Sequence, residues 1–145
     1  MDLALILANT VDGAQSSVSI LLNSCNAPQL VALEKSNRAV ALDSVTMVRD
    51  PFAFTSTTNF SSDQRTRIML FAINVDLQPG ETAASVVVRA ENSQHAIFSV
   101  PVEYVGKVPN FSWLTQVNVR LPDELANGGD VSMSLINHGL ESNRF

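Results

Sequence analysis

Apolar and polar residues in this chain alternate with a period of two, and the 3.6-residue period of an amphipathic helix is almost absent. Val18, Ile20 and Leu22 alternate with Ser17, Ser19 and Leu21. Val117, Val119 and Leu121 alternate with Gln116, Asn118 and Arg120, and Val131, Met133 and Leu135 with Ser132 and Ser134. Successive side chains of a strand point to opposite faces, so each run predicts a strand with one face on a core and one in water. A further run sets Phe98, Val100, Val102 and Tyr104 on one face. Residues 68–75 and 83–88 are apolar on both faces and read as strands covered on both sides; the second also fits an ordinary strand with one exposed valine.

Turn signals punctuate these runs. Pro79-Gly80 suits the centre of a type II turn, where proline pre-sets the first φ and glycine accepts a positive second one. Glu91-Asn92-Ser93-Gln94 and Gly128-Gly129-Asp130 are polar breaks, and Ser36-Asn37 can close a small hairpin between residues 31–33 and 39–42. The one helical candidate, residues 122–127, is a single turn opened by Pro122 and ended by Gly128. Residues 52–63 are rich in Ser, Thr and Asn and carry Phe52, Phe54 and Phe60, which reads as a long connection held down by aromatic anchors. Many short strands at this spacing predict an all-β antiparallel sandwich or barrel.

Composition narrows the function. Of 145 residues 46% are apolar and 16% charged, below the usual ~25% charged. This argues against disorder and against a long solvated helix. A net charge of -5 and only two lysines, Lys35 and Lys107, make nucleic acid a poor partner. Cys25 is the one cysteine, so no intrachain disulfide and no cysteine-rich zinc site can form, and in its strand-like context it reads as a small buried hydrophobe. Residues 1–8 are apolar but lack a basic flank and meet Asn9, Thr10 and Asp12 at once, so they do not read as a signal peptide. No apolar run is long enough to insert in a membrane as a helix.

From about residue 39 onward the chain resembles a known kind of module. The resemblance is carried by Arg38-Ala-Val-Ala-Leu-Asp, Arg49-Asp-Pro-Phe and the stretch from Asn59 to Ala72. It continues in Pro101-Val-Glu-Tyr-Val-Gly-Lys-Val-Pro, and above all in Trp113-Leu-Thr-Gln-Val-Asn-Val-Arg-Leu-Pro, Gly129-Asp-Val-Ser-Met-Ser-Leu and Ser142-Asn-Arg. This order is similar to the immunoglobulin-like (IPT/TIG-type) β-sandwich repeats near the C-termini of large bacterial extracellular proteins. It implies an all-β, immunoglobulin-like antiparallel sandwich with extra N-terminal strands. Residues 44–145 would form the sandwich. Residues 1–43 would form an N-terminal β segment, either part of that sandwich or the tail of a preceding domain. It also implies a non-catalytic extracellular or cell-surface spacer or interaction module whose partners are proteins, either itself or domains of its parent protein. Such modules run on past Ser-Asn into a final strand. Here that strand is either missing or supplied in space by residues 1–8, and an unpaired edge would invite β-strand pairing with another chain.

No enzyme is expected. There is no Gly-x-Ser-x-Gly elbow, and His95 and His138 sit in turns without a metal-ligand spacing. Asp123, Glu124 and Asp130 flank a Gly-Gly loop that falls short of calcium's six to eight ligands and reads as a solvated turn. No cofactor is expected. Arg65 and Arg67 read as a solvated edge or as guards against edge pairing. Asn59-Phe-Ser and Asn110-Phe-Ser match the glycosylation pattern, which chance supplies in Asn- and Ser-rich sequence. Phe111 and Trp113, two apart, share a face of an extended segment. Their first reading is a plug between two sheets. The second is an exposed platform that stacks on a sugar ring, which would make carbohydrate the partner.

Overall fold

The computed structural model describes the backbone of residues 3–11 and 14–22, and residues 26–145 in full. Cys25 lies outside the described residues. The chain is all-β and antiparallel. Strands β1 (Leu3–Val11) and β2 (Ala14–Leu22) form a two-stranded sheet of their own. The first sheet of the sandwich has the order β3 (Gln29–Leu30), β5 (Arg67–Ile73), β9 (Phe111–Arg120), β8 (Val102–Val108), with β4 (Ala41–Asp43) also pairing to β5. The second has the order β11 (Leu140–Glu141), β10 (Ser132–Asn137), β6 (Val87–Glu91), β7 (Ile97–Val100).

Alternation becomes burial. Ile68, Leu70 and Ala72 of β5 and Val117 and Val119 of β9 face Val88 and Ala90 of β6 and Met133 and Leu135 of β10 in one apolar cluster. Strand β5 is the centre of its sheet, and its outward Met69 is covered as well, as a run apolar on both faces requires. Residues 31–33 and 39–40 close the expected small hairpin, with Val40 N donating to Val31 O and Leu33 N to Arg38 O. Residues 29–43 therefore hydrogen-bond along β5 or to each other.

Three expectations are corrected. Residues 83–88 are not one strand: Ala83–Ser85 form a 3-10 turn capped by the Thr82 hydroxyl, and β6 begins with the exposed Val87. Tyr104 does not share the inward face of Val100 and Val102. The chain leaves one sheet for the other at Pro101, and a register shift between Val102 and Tyr104 turns the ring outward, where it lies over Gly106. Phe60 anchors nothing: it is 95% exposed, whereas Phe52 packs on the core and Phe54 lies under the Arg65 guanidinium, 5.0 Å from ring centre to Cζ.

The C-terminal residues lie along β10. Ser142 N donates to Leu135 O, and Met133 and Phe145 exchange backbone hydrogen bonds, with one extra residue bulged between the two contacts. The Asn143 side chain accepts from Leu30 N at 2.7 Å and donates to Leu30 O at 3.2 Å. It thus takes a strand neighbour's place and joins the second sheet to β3 of the first. Residues 3–11 pair with β2.

Candidate functional site

The antiparallel registers define two poles. At one, β5 begins: Arg67 lies opposite Arg120, β6 ends at Glu91 and β10 begins opposite it at Ser132. At the other, β5 ends, β9 begins, and the β10–β11 turn meets the segment after β5 through His138 and Glu81.

The first pole is ionic. The Asp63 carboxylate accepts from Ser61 Oγ, Arg65 N, Arg67 and Arg120, with Arg67 at 2.6 Å and Arg120 at 3.2 Å. Arg67 also reaches Glu103 of β8 at 3.0 Å. The Arg67 guanidinium and the Arg65 amide hold the Asp63 carboxyl far below the ordinary carboxylate range. Arg65 pairs with Asp123 and donates to Leu121 O. The expected solvated edge is corrected: both arginines are mostly buried and tie the 52–66 connection and the 3-10 turn Asp123–Leu125 onto the sheet. Asn59, itself buried, closes the connection by donating to Arg65 O at 2.6 Å and accepting from Ser61 N at 3.0 Å.

Beside this cluster a cleft of about 870 Å³ opens between the sheets. Ile68, Leu70, Phe52, Met133 and Phe145 line its floor, and Arg38 spans its rim, bonded to Asp50 at 2.6 Å and Asp130 at 3.0 Å. That volume is within the range of ligand pockets. Its charged groups pair with one another, Arg38 with both aspartates and His95 with Glu91.

The second pole is aromatic. Val108 and Phe111 pair around a two-residue turn, Pro109-Asn110, with Asn110 at φ +67. A register shift after Lys107 makes β9 bulge past β8. Phe111 and Trp113 therefore lie beyond the last core layer at Thr115. They are 48% and 61% exposed, with ring centres 6.0 Å apart and planes at 84°. The plug reading is thus corrected: the bulge carries the rings off the end of the sandwich. The base of this tip is pinned by hydrogen bonds and an ion pair. Buried Thr115 donates its hydroxyl to Val75 O at 2.7 Å. Lys107 Nζ donates to Val75 O and Thr115 Oγ1, each at 3.0 Å, and pairs with Asp76 at 2.6 Å.

The remaining candidates are kept apart. His95 pairs with Glu91 at the ionic pole and His138 with Glu81 at the aromatic pole. Asp123 is engaged by Arg65 and Asp130 by Arg38. Among the described residues no three His, Cys, Asp or Glu side chains converge. Among them, too, no helix is long and apolar enough to cross a membrane. Asn110 is exposed at the hairpin tip, whereas Asn59 is buried. Sequence reasoning missed the Asp63 cluster and the Asn143 clamp. Their signals are a Ser-x-Asp-x-Arg-x-Arg run and an Asn next to a strand end, and neither has a fixed long-range partner in sequence. No family model, curated protein or solved structure matches the chain.

Proposed function

We propose that this chain is a non-catalytic interaction and spacer module of a bacterial surface or secreted protein, and that it makes its contacts through the Phe111–Trp113 tip. The observation that carries the reading is the joint exposure of those two rings on a hairpin whose base is pinned. Exposed aromatics held on a rigid support are the usual energetic anchors of protein contacts. The strand order supports an immunoglobulin-like assignment: β3-β5-β9-β8 follows the A-B-E-D order and β11-β10-β6 the G-F-C order, with β7 added at the edge. The outward positions filled with Ser, Thr, Asn and Gln in place of Lys and Glu suit an exported surface.

Pairing through strand edges is the weaker route. Edge strand β7 spans only Ile97–Val100, β8 carries two register shifts, and the C-terminal segment is bulged; short or bulged edges resist pairing. The second reading, carbohydrate binding, rests on the same exposed Trp113. Against it, the 84° angle leaves no common flat face for successive sugar rings. A photo-crosslinking residue in place of Phe111 tests the proposal. Crosslinks from the tip to polypeptide, mapped by mass spectrometry, are expected. Absence of any polypeptide crosslink, together with a polysaccharide that shifts Trp113 emission, would replace the proposal with the carbohydrate reading.

A further inference from the structure

The tripeptide Asn-Phe-Ser occurs twice, at residues 59–61 and 110–112. It matches the acceptor pattern for an N-linked sugar, in which the asparagine amide takes the sugar and a Ser or Thr hydroxyl stands two residues on. In sequence the two copies are equal. In the fold they are not.

Asn59 is shut in. It is 8% exposed, its Nδ2 donates to Arg65 O at 2.6 Å, and its Oδ1 accepts from Ser61 N at 3.0 Å. The Ser61 hydroxyl is engaged too, donating to Asp63 and accepting from Arg67, each at 2.8 Å. An enzyme that meets the folded chain would have to pull the 52–66 connection off the ionic cluster to reach this amide.

Asn110 stands open. Asn110 and Ser112 are both exposed, and among the described residues neither side chain has a hydrogen-bond partner. The φ of +67 at Asn110 is left-handed, a conformation that asparagine adopts more readily than most residues with a side chain. The backbone beside it is accessible as well. Val108 pairs with Phe111 and Lys107 with Thr115, which leaves Ser112, Trp113 and Leu114 opposite no residue of β8. On the other side, the pairing of β9 with β5 reaches only to Thr115. Exposed loop tips of this kind are where enzymes that act on folded chains, proteases among them, gain hold of the backbone.

We infer that Asn110 is an N-glycosylation site of this protein and that Asn59 is not. The transfer forms a bond between Asn110 Nδ2 and the anomeric carbon of a sugar. It breaks the bond from that carbon to the diphosphate of an activated glycosyl donor, and the amide proton passes to a base of the transferase. The sugar then stands on the hairpin that carries Phe111 and Trp113, a bulky polar group beside two exposed rings. This goes beyond the reading of the tip as a protein contact and does not rest on it, because the acceptor is open in the free chain whatever the tip touches.

The folded full chain is incubated with a soluble transferase specific for Asn-x-Ser/Thr and with uridine diphosphate glucose, then mapped by peptide mass spectrometry. One hexose is expected, on Asn110, with none on Asn59. Asn110→Gln and Ser112→Ala should each abolish it, and Ser112→Thr should retain it. Far-UV circular dichroism confirms the sandwich in each variant. Short peptides spanning either sequon should both be modified, which would place the discrimination in the fold. A folded chain left unmodified, or modified at Asn59 as readily as at Asn110, overturns the inference. Refusal of the Asn59 peptide also overturns it, since sequence and not burial would then separate the two. Crosslinks from position 111 to polypeptide would leave the interaction reading standing in either of those cases.

Discussion

The two poles of the sandwich spend their large side chains in opposite ways. At the ionic pole Arg67 and Arg120 pair with Asp63 and Glu103, Arg65 pairs with Asp123, and together they bind a long irregular connection to the sheet. At the aromatic pole the polar groups Thr115, Lys107 and Asp76 are used up in stiffening a hairpin, and that hairpin holds two rings out in solvent. The difference teaches which pole is structure and which is surface. A cluster whose charges satisfy each other has nothing left to offer a partner, whereas burying a ring pair supplies about 25 cal/mol for each Å² of apolar area removed from water. That exposed ring pair is the feature on which the proposed contact rests.

The contrast can be broken at several points. The reference is the core itself. Leu135 is fully buried between the sheets, and Leu135→Ala is expected to destabilise by about 2–5 kcal/mol in chemical denaturation. Next comes the support of the tip. Thr115→Val leaves the Val75 carbonyl and the Lys107 ammonium each short of a partner, with an expected loss of about 1–2 kcal/mol and increased amide exchange confined to the 107–115 hairpin. If the whole sheet exchanged faster instead, Thr115 would hold the sheet as a whole and not the tip in particular.

Acid sharpens the comparison from the other side. The Asp63 carboxyl is held down first by Arg67 and then by the Arg65 amide. Glu81 is held down by the Gln78 amide and then His138, Glu91 chiefly by His95, and Glu141 by Ser134 and then Arg144. A carboxyl whose folded pKa is depressed contributes stability above its unfolded value, near 4, and loses it as pH falls toward the folded value. The thermal midpoint is therefore expected to drop as pH falls from about 5 to 3. Asp63→Asn should lower the midpoint at neutral pH and flatten that acid limb more than Glu81→Gln does. An unchanged limb in Asp63→Asn would remove the ionic pole from the account. The smallest effect belongs to Arg38, half exposed across the cleft rim, where Arg38→Ala should cost no more than about 1 kcal/mol because solvent screens the pair.

Period-two patterning made the strands and most of the core legible: Val117, Val119, Met133 and Leu135 point inward as their alternation requires. It failed where the chain changes sheet or register. Pro101 and the shift at Tyr104 reset the phase of one run, and the bulge after Lys107 reset that of Phe111 and Trp113. A period counted along sequence cannot register an extra residue that only the partner strand reveals. Arg65 and Arg67 were legible as one face of a strand but not as a network, because Asp123, Glu103 and Arg120 reach them only through the fold. The exposure of Trp113 and the cleft beneath Arg38 are likewise properties of packing.

The central claim is that the aromatic tip is surface and not core, and one side-by-side measurement decides it. Phe111→Ser/Trp113→Ser and Leu135→Ala are unfolded thermally under the same conditions. The double variant is expected to lose no more than the ~0.5 kcal/mol of stability typical of surface changes, so that its midpoint stays far above that of Leu135→Ala. A double variant that melts as early as Leu135→Ala would contradict it, returning both rings to the interior as a structural plug.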